Sequence, residues 1–285
     1  MTSRDLYAVG ARIRMLFPTL TSLEARIVSI MMDPSFGKNM SLKEVSAQAD
    51  VSEAMVVKTT KKLGFDGFRD CRTQLSDYND LPSTSLHQEI DPADSASQVL
   101  SKVFNTAIQA LQETLAIIDI PTFEAVVTAI FQARNRDLYG VGGSAQIARD
   151  VTHKFLRIGI RSAIYDDSHM MLMSASLLRK GDVAIAFSHS GRTTAVIDAV
   201  RQASSNGAIT IAITNFAGSP LAENTDLVLC STARGSPLLG ENAAARVAQL
   251  NIMDAVFAAV AQKDYAAAEE SLQKTSSSVI PKREK

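Results

Sequence analysis

The stretch Val183-Ala184-Ile185-Ala186-Phe187-Ser188-His189-Ser190-Gly191-Arg192-Thr193 decides the fold of the larger part of this chain. Five consecutive apolar residues are too few for a helix and read as a strand buried on both faces, the pattern of a parallel sheet covered by helices. The strand runs directly into a loop with three hydroxyls and a glycine, and helical spacing follows over 193–202. A helix start offers unpaired backbone N–H groups and the positive end of a dipole, so hydroxyls placed there complete the shell of an anion. Gly191 allows a ligand to approach the backbone closely. The competing reading is an ordinary helix cap with spare serines. A second stretch of the same construction, Asp137-Leu138-Tyr139-Gly140-Val141-Gly142-Gly143-Ser144, leads into helical spacing over 145–158. Two strand-loop-helix anion sites in one α/β domain read as a phosphosugar pocket. The run Gly140-Val141-Gly142-Gly143 also resembles part of a dinucleotide loop, but the third glycine position falls at Ala145 and no second dinucleotide feature follows.

Outward from these loops, short apolar strands are expected at 137–141, 162–165, 183–187, 209–214 and 227–230, separated by helical stretches. Helices at 98–118 and 122–133 precede them and a long helix at 243–262 follows. The fold class is therefore a helical N-terminal domain plus an α/β domain with a mostly parallel five-stranded sheet flanked by helices. The expected organisation is a helical domain at 1–79, a Pro- and Ser-containing linker at 80–97, the α/β domain at 98–265, and a polar tail at 266–285 that loosens from about residue 276.

The helical part is read from its punctuation. Thr21-Ser22-Leu23-Glu24 and Ser41-Leu42-Lys43-Glu44 are capping boxes, and Ser52 caps a further helix that ends at Gly64. Too few residues separate the second and third of these helices for anything but a tight turn, which is the helix-turn-helix arrangement. At 100° per residue, Val56, Thr60 and Leu63 face inward, while Ala54, Met55, Lys58, Lys61 and Lys62 face away. Short side chains near a helix start admit base edges, and lysines further along neutralise phosphates. The expected DNA-contacting set is Ser52, Glu53, Ala54, Met55, Lys58, Lys61 and Lys62, with Arg69 and Arg72 extending it; a merely solvated lysine face is the alternative.

Composition sets the limits. With 285 residues, 46 % hydrophobic, the chain has room for two cores. A formal net charge of -1 excludes a globally basic nucleic-acid coat, so DNA contact must come from a local patch. Two cysteines, Cys71 and Cys230, provide neither a disulfide framework nor a metal cluster and suit a reducing compartment. Arg12 and Arg14 interrupt the first apolar run, against a signal peptide, and no run of about 20 uncharged apolar residues occurs. The expectation is a cytoplasmic protein with no metal, no cofactor and no membrane partner.

The run 51–58 with Leu63-Gly64-Phe65-Asp66-Gly67-Phe68 resembles the helix-turn-helix of the RpiR family of bacterial transcriptional regulators, and Gly142-Gly143-Ser144 with 188–193 resembles the sugar isomerase (SIS) domain that those proteins carry. The likeness spans residues 21–262. It is strongest, through 153–159 and 170–178, to the branch named for ribose-phosphate isomerase and allose. Met55 departs from the Thr or Ser usual in the family. The resemblance implies a repressor that binds a double-stranded operator and senses a phosphorylated sugar, ribose or allose phosphate among the candidates. It implies an effector set of Gly143, Ser144, Ser188, His189, Ser190, Gly191 and Thr193. His189 either orients the sugar or is a turn residue facing solvent. Arg246 reads as a contact to ligand or to a neighbouring group.

The rival function is an aldose-ketose phosphosugar isomerase with an appended helical interaction domain. Such an enzyme needs a base between adjacent carbons. Glu241, His153 and His169 are the candidates, nothing around them marks a catalytic pair, and His87 falls in the linker, so no catalytic residue is assigned. A homodimer or homotetramer is expected, because one recognition helix reads only a few base pairs. The helices at 98–118 and 243–262 are apolar enough to pair; Ala255, Val256, Ala259 and Val260 form either an assembly face or a face buried on the helix's own sheet.

Overall fold

The computed structural model describes residues 3–33, 35–81, 90–233 and 243–279. The chain divides into two units, Met1–Ile117 with Thr232–Ala244, and Ile118–Ser231 with Ala245–Lys285.

The first unit contains helices α1 (Ser3–Leu16), α2 (Ser22–Met31), α3 (Leu42–Ala49), α4 (Glu53–Lys62), α5 (Phe68–Asn79) and α6 (Ala96–Ile117). Both capping boxes form: Glu24 N donates to Thr21 Oγ1 while Thr21 N donates to Glu24 Oε2, and Ser41 and Glu44 repeat the exchange. Between α3 and α4 the chain reverses through Asp50, whose φ of 50° places it in the left-handed region, and Ser52 Oγ then accepts from Met55 N at 3.3 Å. Ile27, Met31, Val45, Val56, Leu63 and Leu75 form the fully buried centre.

The helix expected over 98–118 and placed by the sequence with the α/β domain packs instead on α1. The reason is polar. Glu113 is buried on α6, and its partners lie largely elsewhere: Arg14 Nε on α1 donates to it at 2.7 Å, Tyr78 Oη on α5 at 2.6 Å, and Gln109 Nε2 on α6 itself at 2.8 Å. Burial alone would raise this carboxyl; the Arg14 guanidinium and the hydrogen bonds outweigh it and hold the group below the usual carboxylate range. Arg14, one of the two arginines that interrupt the first apolar run, is thus half of a buried ion pair.

The second unit contains α7 (Ile120–Gln132), β1 (Arg136–Gly140), α8 (Gly143–Arg157), β2 (Ala163–Tyr165), α9 (Ser168–Leu177), β3 (Val183–Phe187), α10 (Thr194–Ser205), β4 (Ile209–Thr214), α11 (Pro220–Glu223), β5 (Leu227–Cys230), α12 (Ala243–Lys263) and α13 (Tyr265–Val279). The five strands are all parallel, in the order β2-β1-β3-β4-β5. One face buries Ile130, Leu138, Ile147, Phe155, Ile185 and Val256 under α7, α8 and α12; the other buries Tyr139, Met171, Ala186, Val200 and Leu221 under α9, α10 and α11. Helix α12 has the length and mean hydropathy, 1.3, of a membrane span. It also carries Arg246 and Asp254 and buries Ile252, Met253, Val256 and Val260 in the sheet's core, so its apolar character is explained by packing. Residues 265–279 correct the expected polar tail: they form α13, which buries Ala268, and Thr275 Oγ1 donates to Arg157 O at 3.2 Å, so the helix extends past residue 276.

Candidate functional site

The sheet order creates the site. From β1 the chain crosses to β2 on one side and then returns to β3 on the other, so the carboxyl ends of β1 and β3 are the switch point where open α/β sheets bind ligands. Gly140 is in register with Phe187, which makes the loops 141–142 and 188–193 leave the sheet side by side. The two glycine- and hydroxyl-bearing loops read separately in the sequence are therefore neighbours at one edge of the sheet.

The second loop is tied down along its length. His189 O accepts from Asn215 N at 3.0 Å and from Thr214 Oγ1 at 3.3 Å, Gly191 N donates to Ser188 O, and Leu221 N donates to Gly191 O at 2.9 Å. Buried Ser188 Oγ lies 3.0 Å from Thr193 Oγ1. Ser190 Oγ accepts from Arg192 N at 3.2 Å and keeps its own proton to donate. Gly191 has a φ of 61°, and a Cβ there would stand 2.1 Å from Ser219 Oγ. The imidazole of His189 is half-buried and edge-on to Phe216, with ring centroids 5.8 Å apart, rather than turned out into solvent. Arg192 is exposed.

The first loop is open. Val141, Gly142 and Gly143 are exposed, Ser144 is half-buried, and Ser144 N donates to Val141 O at 3.2 Å. Arg246, from α12, lies over Gly143: a Cβ on that glycine would be 3.6 Å from Arg246 Cδ and Nη1. The exposed Arg246 side chain thus lies beside the N-terminus of α8. Of the other expected participants, His153 is exposed on α8 and His169 is exposed in the first turn of α9, its N donating to Asp167 Oδ1. Glu241 and His87 lie outside the described residues. Sequence reasoning missed the support from β4 and beyond, namely Thr214, Asn215 and Ser219. Its signal was polar residues directly following an apolar strand.

In the helical unit, Ser52, Glu53, Ala54, Lys58 and Lys61 are exposed on α4, and Val56, Thr59 and Thr60 are buried. Met55, expected to face outward, is half-buried against the helical core. Lys62 is exposed as well, but its ammonium is engaged within the unit: Lys62 Nζ lies 2.7 Å from Glu24 Oε2 and donates to Thr19 O at 3.2 Å. The helix's last turn brings residue 62 round toward α2, where the capping-box glutamate is within reach. Arg69 is exposed, whereas Arg72 donates to Met40 O and lies over the Phe68 ring.

A capped helix-turn-helix on one unit and a doubly covered parallel sheet with paired anion loops on the other define a ligand-binding α/β module joined to a DNA-reading one. Comparison with known proteins gives the same pair: residues 8–80 match the helix-turn-helix domain of the rpiR family, and residues 129–259 match the SIS domain. The HTH-type transcriptional regulator RpiR of Escherichia coli (strain K12) is 43 % identical over 267 residues, covering 92 % of this chain and 89 % of its own. Among solved structures, the Vibrio vulnificus NanR protein complexed with ManNAc-6P superposes with a TM-score of 0.62 at 24 % identity, covering 97 % of this chain and 100 % of that one. The sugar isomerase domain of an RpiR transcription factor from Sphaerobacter thermophilus superposes with a TM-score of 0.59 at 26 % identity over 63 % of this chain and 98 % of that one. The chain belongs to the RpiR family of helix-turn-helix transcriptional regulators.

Proposed function

We propose that this protein is a cytoplasmic repressor of genes for sugar-phosphate metabolism, that it binds a double-stranded operator through α4, and that a phosphorylated sugar in the β1/β3 crevice sets its operator affinity. The observation that carries the reading is the hydroxyl-lined 188–193 loop, held at the switch point by Asn215, Thr214 and Leu221. A phosphate dianion takes the N–H groups at the start of α10 and the hydroxyls of Ser188, Ser190 and Thr193. Ser144, Gly143 and Arg246 close the pocket from the β1 side, and His189 reaches the sugar from the loop. No residue acts as a catalyst, and the protein works as a homo-oligomer. Likeness over nine-tenths of the chain to a named regulator favours this reading over an isomerase.

The coupling is linkage: the sugar phosphate shifts DNA affinity to the extent that it binds one arrangement of the reading heads better than another. On α4, Lys58 and Lys61 neutralise phosphates while Ser52, Glu53 and Ala54 lie toward the groove. Lys62 braces α4 against α2.

Two measurements test this. Operator binding followed against salt should lose about 0.9 from its log–log slope for each copy of α4 on the operator in Lys58→Ala, about 1.8 for a dimer, with the melting temperature unmoved. Lys62→Ala should keep the slope and lose up to about 1 kcal/mol of stability, because its ion pair is partly exposed. A thermal-shift panel of ribose and allose phosphates should find one that stabilises by about 2.7 kcal/mol at 100 times its Kd. No operator binding and no responding sugar phosphate would overturn the proposal.

A further inference from the structure

The chain passes from the second unit to the first at the Ser231–Thr232 peptide bond, directly after β5. Both residues are buried, and each is bonded within its own unit. Behind the crossing, Ser231 N donates to Thr214 O at 2.9 Å and Ser231 Oγ donates to Asn215 Oδ1 at 2.6 Å. Asn215 N and Thr214 Oγ1 are the groups that bond His189 O, so Ser231 is tied to the residue pair that holds the 188–193 loop. Ahead of the crossing, Thr232 N donates to Thr114 Oγ1 on α6 at 3.0 Å, and Thr114 Oγ1 donates to Thr232 O at 3.4 Å.

Thr114 follows Glu113, the carboxylate bonded by Arg14 of α1 and Tyr78 of α5. Two residues before Arg14, Arg12 lies over the Phe65 ring, 4.8 Å from its centroid. Phe65 N in turn donates to Thr60 O in the last turn of α4. Hydrogen bonds, chain neighbours and one cation–π contact thus run without interruption from the 188–193 loop to the helix with the exposed lysines.

The route is polar where an interior needs only filling. Thr214, Asn215, Ser231, Thr232, Thr114 and Glu113 are all buried. A buried polar group is tolerated while its partner stays in place, so each bonded member is held to the position of the next. Packed interiors move between discrete arrangements rather than deform smoothly. A displacement of Asn215 when the loop takes charge is therefore handed on through Ser231 to Thr232. The hydroxyl of Thr232 has no part in this: Thr232 Oγ1 is buried without a hydrogen-bond partner among the described residues, and the joint is made by the Thr232 backbone.

We propose that Ser231 and Thr114 are positioning residues for the regulatory response: they carry the state of the 188–193 loop through the Ser231–Thr232 crossing to the Glu113–Arg14 pair, and so to α4. The inference rests on the proposed function, in which a sugar phosphate fills that loop.

Operator titrations of the full chain, with and without ribose 5-phosphate or allose 6-phosphate, test it. The ratio of operator dissociation constants with and without sugar measures the coupling, about 5- to 150-fold in typical allosteric proteins. In Thr114→Val and in Ser231→Ala that ratio should fall to within about twofold of unity, while calorimetry without DNA finds the sugar-phosphate Kd within about threefold of the parent's. Thr114→Ser, which keeps the oxygen, should retain the parental ratio, and so should Thr232→Val, which removes only the unpartnered hydroxyl. A merely structural joint would lower the melting temperature and leave the ratio alone. Parental coupling in both Thr114→Val and Ser231→Ala would overturn the proposal, as would a loss in Thr232→Val as large as that in Thr114→Val. If one variant melts too low to be titrated, the other, on the opposite side of the crossing, decides. A parent whose operator affinity neither sugar phosphate moves would instead count against the proposed function, and this inference would fall with it.

Discussion

The two loops at the carboxyl edge of the sheet have the same sequence plan and different construction. The 188–193 loop is bonded to residues following β4, packed on Ser219 and closed by the Ser188–Thr193 contact. Among the described residues the 141–142 loop has one backbone bond outside the regular elements, and it is exposed, with Arg246 lying over the residue that follows it. In the proposed function the difference separates two jobs. Groups already fixed where charge will sit need little reordering when a dianion arrives, and affinity is gained by avoiding that cost. The open loop, with a long arginine above it, suits the variable part of a ligand.

Gly191→Ala is the strongest way to break this contrast. The methyl would meet Ser219 at 2.1 Å and the residue would sit at a φ of 61°, so left-handed strain and overpacking add. The expected cost is about 3 kcal/mol, or about 6–12 °C in the melting temperature, with the sugar-phosphate response lost. A variant that melts with the parent would show that the second loop is not held as tightly as its contacts imply.

Ser190→Ala removes a hydroxyl donor and leaves the loop's backbone ties in place. Calorimetry should show ligand affinity reduced by about 1.5–3 kcal/mol, roughly 10- to 150-fold, while operator affinity without sugar stays at the parent value. Parental sugar-phosphate affinity would put the phosphate elsewhere.

Gly143→Ala should have the smallest effect. Its Cβ would lie at an ordinary 3.6 Å from Arg246, and its φ is not positive, so stability should stay within about 1 kcal/mol of the parent. Ligand affinity should fall by less than in Ser190→Ala. Equal destabilisation by Gly143→Ala and Gly191→Ala in thermal melts would erase the distinction between the loops.

Both loops were legible in the sequence because each strand-loop-helix is a local pattern: an apolar run short enough for a strand, glycine and hydroxyls, then helical spacing. Strands β3, β4 and β5 fall at the expected residues, β1 is shifted by one residue at both ends and β2 starts one residue later than expected. The capping boxes were legible for the same reason, since each is an exchange of hydrogen bonds across three residues. The packing of His189 on Phe216, the pairing of Lys62 with Glu24 and the burial of Glu113 were not. Each joins residues that lie apart in the chain and close only in the fold.

By itself, then, the sequence determined the strands, most of the helices, the helix-turn-helix, the parallel α/β class and the two hydroxyl loops, all properties written within a few residues by hydrophobic period, capping and turn chemistry. Only the tertiary structure decided that β1 and β3 are neighbours, so that two loops leave one edge of the sheet side by side; that α6 packs with the reading head; and that Lys62 is a brace. Those outcomes depend on which distant groups satisfy a buried charge or an open strand edge. That choice is made by the packing of the whole unit, where an unpaired carboxylate or an uncovered strand costs more than any local preference can return.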